Sequence, residues 1–206
     1  MCKRLSVWRD RKGGLTMATK NIMIVGVGGQ GTLLASRILG NTVINEGYDV
    51  KVSEVHGMSQ RGGSVVTYVK YGDAVYSPII DMGEADIILA FEMLEAYRAL
   101  PYLKKGGKII VNSQQMDPMP VITGAAKYPE NIIEKIDEKA DIEVIDALTL
   151  AKEAGNIKAV NVVLIGVMAK STDISYDKWI ETIKTTVPEK FLDVNLKAFD
   201  LGYNIK

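Results

Sequence analysis

A short apolar strand followed directly by a glycine loop and a helix is the feature that most restricts what this chain can fold into. Residues 21–32 read Asn-Ile-Met-Ile-Val-Gly-Val-Gly-Gly-Gln-Gly-Thr. The glycine spacing fits the dinucleotide-binding fingerprint, in which the backbone turns tightly against a phosphate and the next helix points its free N–H groups at it. The candidate ligand-binding residues of this joint are Gly26, Gly28, Gly29, Gln30, Gly31 and Thr32.

The composition of the chain limits its possible ligands and the cofactors that it can hold. With 206 residues, 47% of them hydrophobic, the chain can bury one sizeable core. Lys plus Arg and Asp plus Glu number 25 each, so no global field recruits a nucleic acid or an anionic membrane. The single cysteine, Cys2, cannot form an internal disulfide or supply the four thiolates of an iron–sulfur cluster, so any redox centre must sit on a partner. We expect no metal site and a cytoplasmic location.

Residues 1–16 are predicted to lie outside the folded domain. Residues 1–16 are basic and lack a hydrophobic segment, so they do not read as a secretory signal. Met17 stands just before the first predicted strand and is a candidate translation start. We therefore predict an N-terminal extension over 1–16 and a single domain over 17–206.

Hydrophobic patterning predicts a doubly wound, mostly parallel, Rossmann-like α/β sheet with C-terminal helices. An alternating run at 64–71, followed by Gly-Asp and a second run at 74–80, predicts an inserted β-hairpin. The proline-containing stretch 114–129 is interpreted as an excursion or lid. Strands are predicted at 22–25, 50–55, 86–91, 108–111 and 142–145, and helices at 30–46, 92–103, 148–155, 159–170, 176–186 and 189–203.

Polar residues follow the predicted strands. Ligands of open α/β sheets bind at the carboxyl ends of the strands, so these residues form one candidate crevice with the glycine loop. Glu92, Asn112, Ser113 and Asp146 belong to it. A solvated polar rim is the alternative interpretation.

The segment between the second and third strands carries an unusual set of donors. Residues 54–64 read Glu-Val-His-Gly-Met-Ser-Gln-Arg-Gly-Gly-Ser. Arg61 can fork onto a phosphate or carboxylate, and His56 is the one side chain that titrates near neutrality. Ser59, Gln60, Arg61 and Gly62 are candidate ligand-binding residues, and His56 and Arg61 are candidate catalytic residues. A mobile polar loop, or one that docks on another subunit, is the alternative.

Two segments together resemble one family. The sequence Gly-Val-Gly-Gly-Gln-Gly at 26–31, followed by Ser-Glu-Val-His-Gly-Met-Ser-Gln-Arg-Gly-Gly at 53–63, is similar to the gamma-type domain of 2-oxoacid:ferredoxin oxidoreductases. The resemblance extends over nearly all of 17–203 and includes Phe-Glu-Met-Leu-Glu-Ala-Tyr-Arg at 91–98 and the predicted helix that contains Asn161. The second segment is specific, whereas many nucleotide-binding proteins share the glycine loop.

The resemblance implies an α/β subunit that works only with a larger subunit carrying thiamine diphosphate and iron–sulfur clusters. Such complexes convert an aryl 2-oxoacid and coenzyme A into acyl-CoA, carbon dioxide and reduced ferredoxin. It also implies that coenzyme A meets this domain, with its diphosphate at the helix start behind Gly31 and the donors near Arg61. A competing role for residues 56–63 is to close over the partner's thiamine site and exclude water.

Two other classes share the glycine loop. A free-standing NAD-dependent dehydrogenase would use an acidic residue at the end of the second strand on the ribose hydroxyls, and Glu54 is in about that place. An adenylating enzyme of the ubiquitin-activating type is disfavoured, because the chain lacks zinc-type cysteine pairs and a catalytic cysteine.

Overall fold

A six-stranded sheet forms the centre of the computed structural model, which describes residues 18–56 and 62–205. The strand order is β2-β3-β1-β4-β5-β6. β3 is antiparallel to both of its neighbours, while β1, β4, β5 and β6 are mutually parallel, which confirms the predicted mostly parallel sheet. The strands are β1 (Lys20–Val27), β2 (Asp49–His56), β3 (Ser64–Gly72), β4 (Ala85–Ala90), β5 (Leu103–Asn112) and β6 (Asp141–Ile145).

Helices cover both faces of the sheet because its strands bury residues on both sides. In β1, Ile22 and Ile24 point into one apolar cluster and Met23 and Val25 into the other, as the two-residue period of a strand requires. The first cluster includes residues of α1, α5, α6, α7 and α8, and the second includes residues of α2 and α4. The helices are α1 (Thr32–Asn45), α2 (Met93–Ala99), α3 (Met119–Ile122), α4 (Ile132–Asp137), α5 (Ala147–Ala154), α6 (Val160–Ala169), α7 (Tyr176–Thr186) and α8 (Leu192–Tyr203).

The predicted hairpin between residues 64–71 and 74–80 is wrong, because the second of these runs is not a strand. β3 pairs with β2 and β1, whereas the described residues 73–84 form no strand. Pro78 interrupts the run and cannot donate to a ladder. Side chains hold this segment against the sheet instead: Asp49 accepts from the N–H of Val75 at 2.8 Å, and Lys70 donates to the carbonyl of Ile79 at 2.8 Å.

Helices α6 and α8 cross with their backbones in contact. A Cβ added at Gly202 would lie 2.0 Å from the carbonyl oxygen of Val163, and one added at Gly166 would lie 2.3 Å from that of Phe199. Only glycine permits this approach. The crossing brings the start of α6 and the start of α8 to the side of α1.

Within the described ranges, no helix has the length and apolar character needed to cross a membrane.

Candidate functional site

The glycine loop between β1 and α1 presents its backbone to open space. Gly29 and Gly31 have φ values of 101° and 85°, in the left-handed region that favours glycine. A Cβ added at Gly29 would meet no atom within 4 Å. Helix α1 begins after Gly31 without a side-chain cap and has no acidic residue in its first turn. The start of the helix dipole therefore suits a negatively charged group.

The side chain of Gln30 braces the loop from inside. Its Oε1 accepts a hydrogen bond from the N–H of Val27 at 2.7 Å, and its Nε2 donates to the carbonyl of Phe91 at 3.1 Å. The N–H of Gly28 donates to the carbonyl of Gly63 at 2.9 Å. The loop is thus attached both to the segment after β4 and to the segment before β3.

Asn161, at the start of α6, holds the loop from the opposite side. Its Nδ2 donates to the carbonyl of Gly31 at 3.2 Å, and its Oδ1 accepts from the N–H of Val162 at 2.9 Å. A Cβ added at Gly31 would lie 2.7 Å from that Nδ2. Glycine at 31 is therefore required both by its φ and by the approach of Asn161.

A cleft of about 700 Å³ opens in front of the loop. Its wall combines backbone, three side-chain amides, one lysine and several apolar side chains, and no carboxylate belongs to the lining formed by the described residues. This lining suits an anionic ligand that also has an apolar part. The lining residues are Gly28, Gly29, Gln30, Gly31, Leu34, Gln114, Met116, Leu148, Ile157, Lys158, Val160 and Asn161.

Another hollow, of about 420 Å³, lies beside α4 and differs in charge. Glu130 and Glu134 line it together with Tyr128. Carboxylates repel phosphates, so the glycine-loop cleft is the better site for an anion.

Glu92 anchors the segment that borders the cleft. This carboxylate is 1% exposed; its Oε2 accepts from the N–H of Glu95 at 3.0 Å, and its Oε1 accepts from the N–H of Met116 at 3.1 Å and the hydroxyl of Tyr128 at 2.5 Å. Burial and the neighbouring carboxylate raise the pKa of Tyr128, so its hydroxyl stays a donor. Residues near both ends of the predicted excursion 114–129 are therefore held by Glu92, at the start of α2.

Glu95 makes a second connection of this kind. Its Oε2 accepts from the hydroxyl of Ser64 at 2.5 Å, and its Oε1 accepts from Nη1 of Arg98 at 2.6 Å. Ser64 directly follows Gly63, whose carbonyl receives the N–H of Gly28. Glu95, which is itself buried, thus connects α2 to the segment that holds the glycine loop.

The structure brings only part of the predicted set to the cleft. Gly28, Gly29, Gln30 and Gly31 line it. Gly26 and Thr32 support the loop from behind, since Thr32 is buried and a Cβ at Gly26 would lie 2.9 Å from Oε1 of Gln30.

The polar residues after β5 and β6 have structural partners. Asn112 is 1% exposed, and its amide donates to the carbonyl of Phe91 and accepts from the N–H of Ala147, each at 3.2 Å. Ser113 is exposed and does not line the cleft. Asp146 caps α5, and hydrogen bonds from Thr149 lower its pKa.

Part of the second predicted segment cannot be compared with the structure. Ser59, Gln60 and Arg61, and the side chain of His56, lie outside the described residues. Gly62 is exposed, with a φ of 77°. The roles assigned to these residues stay predictions.

The geometry does not support the nicotinamide alternative. Glu54 is paired in register with Thr67 of β3, which in turn is paired with Ile24 of β1. With neighbouring strands ~4.8 Å apart, Glu54 lies two strands, or roughly 10 Å, from β1. In the dinucleotide-binding fold the second strand lies directly beside the first. The insertion of β3 removes this acidic residue from the place where it would contact a ribose.

Lys158 and Gln114 are cleft residues that sequence reasoning missed. Lys158 lies in a 3₁₀ turn at 157–159, far from the glycine loop along the chain. A single lysine after a turn forms no recognisable motif. Only the packing of α6 against α1 places it opposite the loop.

Comparison with known proteins agrees with this architecture. A family model described as pyruvate ferredoxin/flavodoxin oxidoreductase matches residues 21–205. The indolepyruvate oxidoreductase subunit IorB of Pyrococcus horikoshii is 47% identical over 192 residues, covering 90% of this chain and 95% of that protein. The pyruvate/ketoisovalerate oxidoreductases common subunit gamma of Thermococcus litoralis is 28% identical over 177 residues, covering 84% and 89%.

A solved structure shares the fold. The gamma subunit of a keto/oxoacid ferredoxin oxidoreductase from Geobacter sulfurreducens aligns with a TM-score of 0.67 and 25% identity. The alignment covers 89% of this chain and 96% of that one.

Proposed function

The chain belongs to the pyruvate ferredoxin/flavodoxin oxidoreductase family, and we propose that it is the gamma-type accessory subunit of a ferredoxin-dependent indolepyruvate oxidoreductase. The complex oxidises an aryl 2-oxoacid: the bond between the carboxylate and the oxo carbon breaks and carbon dioxide leaves. The acyl group forms a thioester with the sulfur of coenzyme A, whose thiol proton is released, and two electrons pass to ferredoxin.

The redox chemistry of this reaction belongs to a larger partner subunit. Cys2 is the only cysteine in the sequence, whereas an iron–sulfur cluster normally takes four thiolates. No group of side chains in the described ranges could hold a metal ion. We assign the clusters and thiamine diphosphate to the partner, and ferredoxin interacts through that subunit.

The part of this chain in the reaction is to bind and orient coenzyme A. The observation that carries this proposal is the cleft lining, in which an uncapped helix start and Lys158 face the same space and no described carboxylate opposes them. The diphosphate of coenzyme A matches the glycine loop, and its pantetheine arm matches the apolar wall formed by residues such as Leu148 and Val160. Fixing the thiol carrier in one orientation lowers the entropy cost of acyl transfer.

Calorimetry on the assembled complex tests this role. Gly29→Glu places a bulky negative group where a Cβ meets no protein atom, so it blocks phosphate approach without a clash in the fold. We expect the affinity for coenzyme A to fall at least tenfold. Gly29→Ala is the matched control, because it imposes the same backbone strain without the charge. Equal affinity in wild type and Gly29→Glu would refute the proposed site.

A further inference from the structure

A second, smaller pocket adjoins the glycine-loop cleft on the side of α8. Its volume is about 210 Å³, and Leu34 and Lys158 line both spaces. Its wall also includes Phe191, Val194 and Asn195, from the segment that begins α8. Pockets for whole ligands span about 300–1,000 Å³, so this one has room for a single ring system that continues into the larger cleft.

The wall has the chemistry of a flat aromatic ligand's binding site. Phe191 is 41% exposed and stands at the end of a 3₁₀ turn over 189–191. The carbonyl of Phe191 accepts a hydrogen bond from Nδ2 of Asn195 at 2.8 Å, which fixes the turn. Lys190 places its Nζ 4.8 Å from the centre of the ring. A ring face, apolar walls and nearby cations favour a base that carries phosphates.

We infer that this pocket binds the adenine ring of a nucleotide whose phosphates lie in the glycine-loop cleft, with Lys158 contacting a phosphate between the two spaces. The inference rests on the proposed function and deepens it, because coenzyme A is an adenine nucleotide. Its adenine packs against Phe191, its diphosphate lies at the start of α1, and its pantetheine arm leaves toward the apolar wall of the larger cleft.

Inhibition kinetics on the assembled complex separate the two ends of coenzyme A. Adenosine 3′,5′-bisphosphate carries the base without the pantetheine arm, and 4′-phosphopantetheine carries the arm without the base. We expect Phe191→Ala to raise the inhibition constant of adenosine 3′,5′-bisphosphate roughly tenfold, the order of one lost base–aromatic stack. The inhibition constant of 4′-phosphopantetheine, which lacks the base, is expected to stay unchanged.

Three further variants make the result specific. Phe191→Tyr keeps the ring and is expected to retain wild-type inhibition. Val194→Phe fills the pocket and is expected to reproduce the effect of Phe191→Ala without removing the ring. Tyr76→Ala, which removes an aromatic side chain that is 87% exposed, controls for loss of surface area and is expected to change nothing.

The outcomes distinguish this inference from the proposed function. Equal inhibition by adenosine 3′,5′-bisphosphate in wild type, Phe191→Ala and Val194→Phe overturns the adenine pocket. If Gly29→Glu still weakens coenzyme A binding in that case, the proposed cleft stands. Equal weakening of both inhibitors by Phe191→Ala also overturns the inference, because the pocket would then show no preference for the base. If Gly29→Glu and Phe191→Ala both leave coenzyme A affinity unchanged, both ideas fail.

Discussion

Alanine at two neighbouring glycines of the loop gives a test of how the loop is held. Gly29 and Gly31 both have positive φ, so a Cβ at either costs about 1–2 kcal/mol of backbone strain. Their surroundings differ. A Cβ at Gly29 meets nothing within 4 Å, whereas one at Gly31 lies 2.7 Å from Nδ2 of Asn161. The two substitutions therefore share the strain and differ in the contact.

The contact sets the difference in stability. To admit alanine at 31, Asn161 must turn away and lose its hydrogen bonds to the carbonyl of Gly31 and the N–H of Val162. Each is worth about 0.5–1.5 kcal/mol net. We expect Gly29→Ala to lower the free energy of unfolding by about 1–2 kcal/mol and Gly31→Ala by about 2–5 kcal/mol.

Guanidinium denaturation of the purified chain, followed by far-ultraviolet circular dichroism, measures both values by linear extrapolation. A double-mutant cycle with Asn161→Ala isolates the contact. In the Asn161→Ala background, Gly31→Ala is expected to cost only about 1–2 kcal/mol, the strain that remains. Equal losses for the two single glycine variants, or a Gly31→Ala cost that Asn161→Ala does not reduce, would refute the reasoning.

Three further predictions concern other parts of the chain. Gly202→Ala is expected to lower the free energy of unfolding by at least ~3 kcal/mol, because overpacking there forces two helix backbones apart. Gly40→Ala is the control, since its Cβ would meet only a methyl group at 3.8 Å, and it is expected to be neutral or to stabilise by up to ~1 kcal/mol. Chemical denaturation measures both. Asp146→Ala removes a helix cap and is expected to cost ~1 kcal/mol at pH 7. Because the folded pKa of Asp146 is lowered, that difference persists above its ordinary pKa of 3.8 and disappears as the pH falls through the lowered value; a pH-independent difference would contradict it. Arg61→Ala is expected to lower turnover of the assembled complex without loss of assembly, and unchanged turnover would exclude an active-site role.

The central βα unit was predictable because its signals are local. The apolar run at 22–25, the glycine spacing and the helical stripe after it all occur within one continuous segment, and the structure confirms β1, the loop and α1. The helix at 176–186 was predicted with its exact bounds, since its apolar stripe is regular and Pro188 follows its end.

The remaining features depend on contacts between distant segments. The run at 74–80 predicts a strand beside β3, yet the strands beside β3 are β1 and β2. No local sequence pattern indicates which strands pair with β3. Asn161 reaches Gly31 from 130 positions away, and its amide is indistinguishable in sequence from any other near a helix start. Lys158 reaches the cleft, and Phe191 the pocket that adjoins it, for the same reason, through the packing of α6 and α8. Pattern reasoning finds the glycine loop at the front of the cleft, but not the far wall of the cleft.

The position of β3 gives a physical reason why the ligand proposed for this glycine loop differs from that of nicotinamide enzymes with the same fingerprint. Inserted between β1 and β2, it moves Glu54 a full strand farther from the loop, so no carboxylate of β2 faces a ribose there. The side of the loop that faces away from β2 carries a lysine, amides and an aromatic ring. Residues 156–161 and the segment that begins α8 supply these groups. A ligand anchored by its phosphates at Gly29 is accordingly directed away from β2 and toward α8, the direction in which Phe191 is exposed. In the proposed complex with coenzyme A, the inserted strand thus changes which side of the glycine loop faces the rest of the nucleotide.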